Sequence, residues 1–384
     1  MKFLLFIFTL SFISFGSSTN VRSRRHVLST TLRALPTIQG TNQIALSYRV
    51  QSGVDNTAVQ SAFNIFESQT CITSTNLDTI QPIPPANQED IQFVSGTQCV
   101  SSGYGLLAVG TPRVITLSTT CATIPEIQRL IGHALGLRNE EVRPDREGYV
   151  RIITANVIPQ NISEFNIDNL TVVKASTINY DYGSLMQSPL NYLSANGQNT
   201  MRLVYPNFNR TVGQRLGYGF NDLKLINMEY CSNICTGTNT CENFGYQNPR
   251  NCSLCICPPF FTGQNCQLLE SNQGGCGSQR VSVTRKRKVV TVNGNRTCLI
   301  RFRAPPGQRV KLTIVKAKLP GGVNCWGTKG IEAKLFNDKS VAGAKFCGRV
   351  TNRKMRTEGN IALVRYRGAN SNHMMRLRIE RARN

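Results

Sequence analysis

An α+β domain, a short disulfide-held module and a strand-rich basic region follow one another along the 384 residues. As far as about residue 230, apolar residues alternate between strand-like and helical spacing. Between Cys235 and Cys266 six cysteines fall within 32 residues, too short a stretch to bury much apolar surface without cross-links. From residue 276 to the end there are 26 Lys and Arg against Glu332, Asp338, Glu358 and Glu380, so nearly all of the net charge of +23 sits there.

Met1-Lys2, the apolar run Phe3 to Phe15 and Gly16-Ser17-Ser18 read as a secretory signal peptide over residues 1–18. The run is too short to span a bilayer, and no later stretch is long enough, so the mature chain is expected to be soluble and extracellular. Residues 19–25 form a short pro-segment ending in Arg22-Ser23-Arg24-Arg25, a processing-site pattern. Ile44 to Val50 alternates with period two and predicts a strand. Asn56 to Ser68 predicts an amphipathic helix burying Val59, Phe63, Ile65 and Phe66. A second helix is bracketed by Pro125 in its first turn and Gly136 past its end, where a left-handed backbone would reverse the chain. Fourteen cysteines in an oxidising compartment suggest seven disulfides rather than metal thiolates. Sequons at Asn161, Asn169, Asn209, Asn251 and Asn295 agree with secretion, although Cys252 in the middle position hinders use of Asn251.

That second helix carries Arg129-Leu130-Ile131-Gly132-His133 and continues through Gly136, Asn139, Glu140, Arg143, Asp145, Arg146, Tyr149 and Val150. The run resembles the zinc motif of the astacin family of metzincin metalloproteases, His-Glu-x-x-His-x-x-Gly-Phe-x-His-Glu-x-x-Arg-x-Asp-Arg-Asp-x-Tyr-Val. The resemblance places Arg129 at the first zinc histidine, Leu130 at the catalytic glutamate, His133 at the second histidine and Asn139 at the third. His133 is then the one surviving metal ligand. Helical geometry puts residues i and i+4 on one face, so two histidines there can grip one ion. An arginine, permanently protonated, instead sets a positive charge where the cation would sit. Leucine cannot take a proton from a metal-bound water. A second stretch, Ser184-Leu185-Met186-Gln187-Ser188, resembles the family's Met-turn: Met186 is kept, while Gln187 and Ser188 stand for the family's His-Tyr pair. No Phe-x-Gly-Asp segment lies in residues 19–50 to act as the family's latch.

The resemblance extends over three modules: astacin-like over 26–232, EGF-like over 233–268, and CUB, a β-sandwich, over 274–384. It implies disulfides Cys71–Cys231 and Cys99–Cys121 in the first, Cys235–Cys252, Cys241–Cys255 and Cys257–Cys266 in the second, and Cys276–Cys298 and Cys325–Cys347 in the third. Cys325-Trp326-Gly327-Thr328-Lys329-Gly330 lacks the aspartate of calcium-binding CUB domains. Asn293-Gly294 marks a turn between strand-like runs.

In the CUB-like module Arg285-Lys286-Arg287-Lys288, Lys316-x-Lys318, Arg353-Lys354-x-Arg356, Arg365-x-Arg367 and Arg376-x-Arg378 are clustered. Period-two spacing would collect such residues on one sheet face, a strong positive field suited to sulfated or acidic extracellular glycans. Nucleic acid is the less suitable partner outside the cell. The sequence thus reads as a secreted pseudoprotease with no cofactor, binding peptide or protein in its cleft and acidic polymers through its CUB-like module. The alternative is an active zinc endopeptidase with substituted ligands. A second alternative is a structural matrix component.

Overall fold

The computed structural model describes residues 25–28, 35–41, 43–169, 173–175, 177–322, 324–327 and 329–382. The signal peptide, Arg22 to Arg24 of the processing site and Thr328 lie outside them. Strand β1 (Arg25–Leu28) pairs antiparallel with residues 173–175. Strand β2 (Ile44–Val50) has the predicted bounds and buries Ile44, Leu46 and Tyr48 on one face. Helix α1 (Asn56–Gln69) begins at Asp55, whose carboxylate accepts the Ala58 N–H at 3.1 Å. It buries Val59, Ala62, Phe63 and Phe66, and Phe63 stacks on Tyr48 with centroids 4.5 Å apart. Of these, Val59, Phe63 and Phe66 each contribute about 1.5–3 kcal/mol. Ile65 is only partly buried against this core.

Strands β3 (Ile72–Asn76), β4 (Ile91–Ser95), β5 (Val100–Ser101) and β6 (Arg113–Leu117) complete a five-stranded sheet ordered β3-β2-β4-β6-β5, parallel except for β5. Helix α2 (Ile124–Ala134) packs beside α1 and buries Ile127, Leu130 and Ile131. Thr123 caps its first turn and Pro125 occupies that turn. Gly136 follows at φ +92°, in the left-handed region where a Cβ is strained. Beyond it the chain runs through short 3-10 turns, a two-stranded ladder of β7 (Val150–Ile152) with residues 201–203, strand β8 (Val173–Ala175) that closes on β1, and β9 (Met201–Leu203). Helix α3 (Phe220–Tyr230) ends this unit, and the Cys71–Cys231 disulfide ties its end back to the end of α1. Cys99–Cys121 closes the loop before α2.

The next unit holds two small hairpins, β10 (Tyr246–Asn248) with β11 (Asn251–Ile256) and β12 (Phe261–Thr262) with β13 (Leu268–Leu269). Disulfides Cys235–Cys252, Cys241–Cys255 and Cys257–Cys266 hold it. Arg250 fastens it to the first unit by donating to the Thr70 carbonyl at 2.8 Å and to the Ile72 carbonyl at 2.9 Å.

The last unit is two sheets sharing one core. Strands β14 (Arg280–Ser282), β15 (Lys288–Asn293), β16 (Thr297–Arg303), β17 (Val310–Lys318), β18 (Gly330–Lys334), β19 (Ala344–Phe346), β20 (Arg349–Arg356), β21 (Ile361–Arg367) and β22 (Met374–Arg381) form a five-stranded sheet, β14-β16-β21-β18-β19, and a four-stranded one, β15-β22-β17-β20. Ile300, Phe302 and Val364 from the first and Ile314, Leu377 and Ile379 from the second are buried together. Cys276–Cys298 and Cys325–Cys347 brace the unit.

This sandwich is not hung from a linker. Its core runs on into Val150, Tyr180, Tyr182, Phe208 and Val212 of the first unit. Phe336 stacks on Phe208 with centroids 5.1 Å apart and planes within 4°. Around the rings, Asn179 donates to Asp338 at 2.8 Å, the Ala342 N–H to Asp181 at 3.0 Å, and the Trp326 indole to the Val212 carbonyl at 3.2 Å. Among the described residues no helix is long and apolar enough to cross a membrane.

Candidate functional site

Helix α2 carries the residues that the motif singles out. Its i, i+4 geometry brings Arg129 and His133 together: Arg129 Nη1 lies 2.7 Å from His133 Nε2, and His133 Nδ1 lies 3.0 Å from the Leu137 carbonyl. Guanidinium has only donors and a carbonyl only accepts, so this set of partners requires the neutral Nδ1–H tautomer, with the Nε2 lone pair accepting from Arg129. Burial first, and the neighbouring Arg129 cation second, push the imidazole well below its ordinary pKa. The Tyr104 ring closes the remaining side edge-on, 4.8 Å away.

Arg129 is held from behind by Glu126, one turn earlier, with Nε at 3.1 Å and Nη2 at 2.5 Å from the carboxylate. Burial would lower the pKa of this guanidinium, but the Glu126 hydrogen bonds and charge more than offset it, and the group stays protonated. Arg215 approaches the same carboxylate at 3.8 Å, so two cations share one anion. Neither Glu126 nor Arg215 was anticipated from the motif. The i, i+3 spacing of Glu126 and Arg129 was an available signal, whereas Arg215 arrives through the fold alone.

The other motif positions are spread around this pair. Leu130 is buried in the core of the first unit. Asn139 opens the 3-10 turn Glu140–Val142, and its Oδ1 is buried without a hydrogen-bond partner among the described residues. Met186 lies beneath α2: a Cβ built on Gly132 would meet its Sδ at 3.2 Å, a tight approach that glycine avoids. Gln187 and Ser188 are buried and turned toward Glu141, whose Oε2 accepts from Gln187 Nε2 at 3.2 Å and from the Ser188 N–H at 3.1 Å. Among the described residues, no group of three or more His, Cys, Asp or Glu side chains is placed to hold a metal ion.

The segment after Asn139 is a buried polar scaffold. Arg143 is fully buried, forks onto Asp145 at 2.8 and 3.0 Å, and reaches Glu140 at 3.3 Å. Tyr149 stacks on Tyr180 with centroids 4.6 Å apart.

A second candidate surface is the outer face of the four-stranded sheet. Register pairs Arg378 with Thr313, Arg376 with Lys316, Thr313 with Lys354, and Lys311 with Arg356, and places them opposite the buried Leu377, Ile379, Ile314 and Met355. The face also carries Lys318 and Arg349, and its acid is Glu380, bridged to Lys311 at 2.7 Å and to Arg287 at 2.9 Å. Arg285, Lys286, Arg287 and Lys288 are exposed where the edge strand β15 begins. Three members of the predicted basic clusters are elsewhere: Arg353, and Arg365 and Arg367 of strand β21. Arg353 has the parity of Met355 and turns toward the first unit, donating to Asn207 Oδ1 at 2.6 Å and to the Pro206 carbonyl at 3.0 Å. Arg365 belongs to the other sheet and is buried against Glu270 and the Phe260 ring. Alternation along a strand sorts residues into two sets, and packing decides which set meets solvent. Of the sequons, Asn169, Asn209, Asn251 and Asn295 are exposed and Asn161 is half-buried.

Residues 38–231 match the peptidase family described as Astacin. A zinc metalloproteinase of Caenorhabditis elegans, nas-34, is 33% identical over 319 residues, covering 83% of this chain and 52% of that protein. A second from the same animal, nas-23, is 32% identical, covering 61% of this chain and 45% of the relative. The chain thus spans about half the length of the curated relatives it matches. A solved structure of the hatching enzyme zinc-protease high choriolytic enzyme 1 from medaka fish is 25% identical, with TM-score 0.43, over 52% of this chain and 98% of that one. With the match extending from Ile38 to Cys231, across the sheet, α2 and the Met-turn, the chain belongs to the astacin family.

Proposed function

We propose that this chain is a secreted astacin-family protein without hydrolytic activity, working by binding: a peptide or protein in the cleft of the first unit, and an acidic extracellular glycan on the outer sheet of the sandwich. The observation that carries the first half is the 2.7 Å contact between Arg129 Nη1 and His133 Nε2. A zinc ion would need that same Nε2 lone pair, and it would need it beside a fixed positive charge. Asn139 and Ser188 provide no imidazole or phenol, and Leu130 provides no base. This donor set does not fit zinc, so no step of peptide hydrolysis is assigned to these residues. What remains at the cleft is a guanidinium pair sharing Glu126 over an intact scaffold, suited to hold a peptide without cutting it.

The second half rests on eight cations on the outer face of one sheet, Lys311, Lys316, Lys318, Arg349, Lys354, Arg356, Arg376 and Arg378, with Glu380 bridged to Lys311 among them. A field of that density favours a polyanion and is weakened by salt.

The test is zinc per mole of the secreted protein purified without chelators, together with hydrolysis of a peptide library. Metal near zero and no cleavage are expected. Stoichiometric zinc with chelator-sensitive cleavage would overturn the reading in favour of an active endopeptidase. Retention on a sulfated polymer is expected to fall steeply between roughly 50 and 200 mM salt.

A further inference from the structure

Where the edge strand β20 meets the turn Pro206–Phe208 of the first unit, a cavity of about 420 Å³ opens between the two units. Arg210, Lys345, Arg349 and Arg353 line it, with no carboxylate among the lining residues. Among the described residues none of these four cations forms an ion pair. Their visible partners are neutral: Arg353 is held by Asn207 and the Pro206 carbonyl, Arg210 donates to the Cys347 carbonyl at 3.1 Å, and Lys345 to the Trp326 carbonyl at 3.3 Å. Across the ladder from Lys345, Glu332 is half-buried, and although desolvation raises its pKa, Lys345 and Lys334 hold it below the ordinary value, so that one lysine charge is partly shared. The three arginines have no such relief.

Anchored guanidinium groups lose less conformational freedom when they bind, and their planar forks match oxyanions. The volume lies within the range of pockets for small ligands, ~300–1,000 Å³. Arg349 and Thr351 belong to both the cavity and the outward-facing set of β20, so the basic face of the sheet runs over its edge into the junction. We infer that this junction binds a sulfate ester of an acidic sugar chain and anchors a polymer that lies along the outer face. A sulfate stays ionised throughout the physiological range and offers several oxygens to donors converging from both units, which suits four cations better than a single carboxylate. The inference deepens the glycan half of the proposed function and rests on it.

The experiment uses the full secreted chain with its N-linked sugars trimmed enzymatically, because the Asn209 sequon lies at the cavity. Calorimetry would compare a sulfated uronate–hexosamine tetrasaccharide, its desulfated counterpart and a long sulfated chain. The sulfated tetrasaccharide is expected to bind at least about tenfold more tightly than the desulfated one. Arg349→Gln, and separately Arg353→Lys, which keeps the charge and loses the fork, should each weaken the tetrasaccharide about fivefold to tenfold. Lys316→Gln with Arg376→Gln should weaken the long chain while leaving the tetrasaccharide within about twofold. Equal binding of the desulfated sugar, or unchanged tetrasaccharide affinity in both junction variants, overturns the junction site while the sheet reading stands. A tetrasaccharide that binds and depends on Arg349 beside a long chain that ignores Lys316 and Arg376 supports the junction and removes the sheet. Failure of both sugars to bind overturns both.

Discussion

Helix α2 and the segment that follows it, residues 140–150, belong to one continuous motif and have fared differently. In α2 the positions that would hold and use a metal carry Arg129 and Leu130, and the surviving His133 is satisfied by that arginine. In the following segment Arg143, Asp145, Tyr149 and Val150 match the family, are largely buried, and make the scaffold contacts. The difference separates two burdens that the motif normally carries together. Residue types at exposed positions of a helix can change while its apolar face still packs. A buried charge network cannot be dismantled a residue at a time, because each loss strands a charge in the interior.

The comparison breaks most visibly at Arg143. Arg143→Met should destabilise by about 3–5 kcal/mol, since Asp145 and Glu140 would be left buried without their cation. Arg129→Gln should cost far less, because its side chain is partly exposed and Glu126 keeps Arg215 nearby. Denaturant unfolding of the two purified variants measures both, and equal losses would erase the distinction between scaffold and site. Next in size, Phe336→Ala removes a ring stacked on Phe208 and 5.0 Å from Tyr205, at a cost of about 3 kcal/mol. If the units share one core, that loss should appear in the unfolding of the first unit as well as of the sandwich.

Much of this was legible before any coordinates. β2 announced itself through strict alternation, α1 through its apolar intervals, and the stop after α2 through Gly136. Which residues stand at 129, 130, 133 and 139 could be read directly, since that is a matter of residue identity. What stayed hidden depends on the third dimension. Nothing in the sequence near Arg353 says that its parity faces Asn207 rather than solvent, and the register shift between Ile314 and Lys316 alters the alternation within β17. Arg365 reads like its exposed neighbours until Phe260 and Glu270 are seen against it. The docking of the sandwich on the first unit uses Phe336, Phe208 and Tyr182, each of which alone reads as an ordinary core aromatic.

The smallest effect, and the one that reports most directly on the pair at the centre of α2, is a pH dependence. His133 has a folded pKa well below its ordinary value, held down by burial and then by Arg129. In the unfolded chain the imidazole takes a proton below about pH 6.5, whereas in the folded chain it stays neutral. The unfolded state therefore binds more protons in that range, and stability associated with His133 is complete above pH 6.5 and is lost as the pH falls. Relative to His133→Gln, the wild-type chain should lose part of its advantage as the pH falls from 7.5 to 5.5, because the unfolded imidazole takes up a proton that the folded one resists. Differences between the two proteins cancel the buried carboxylates common to both. In an Arg129→Gln background the imidazole would lose its cationic neighbour, its folded pKa would rise, and the pH-dependent difference should shrink. A difference that does not shrink would mean that burial alone keeps His133 neutral, and that the arginine at the first ligand position occupies the site without governing its charge.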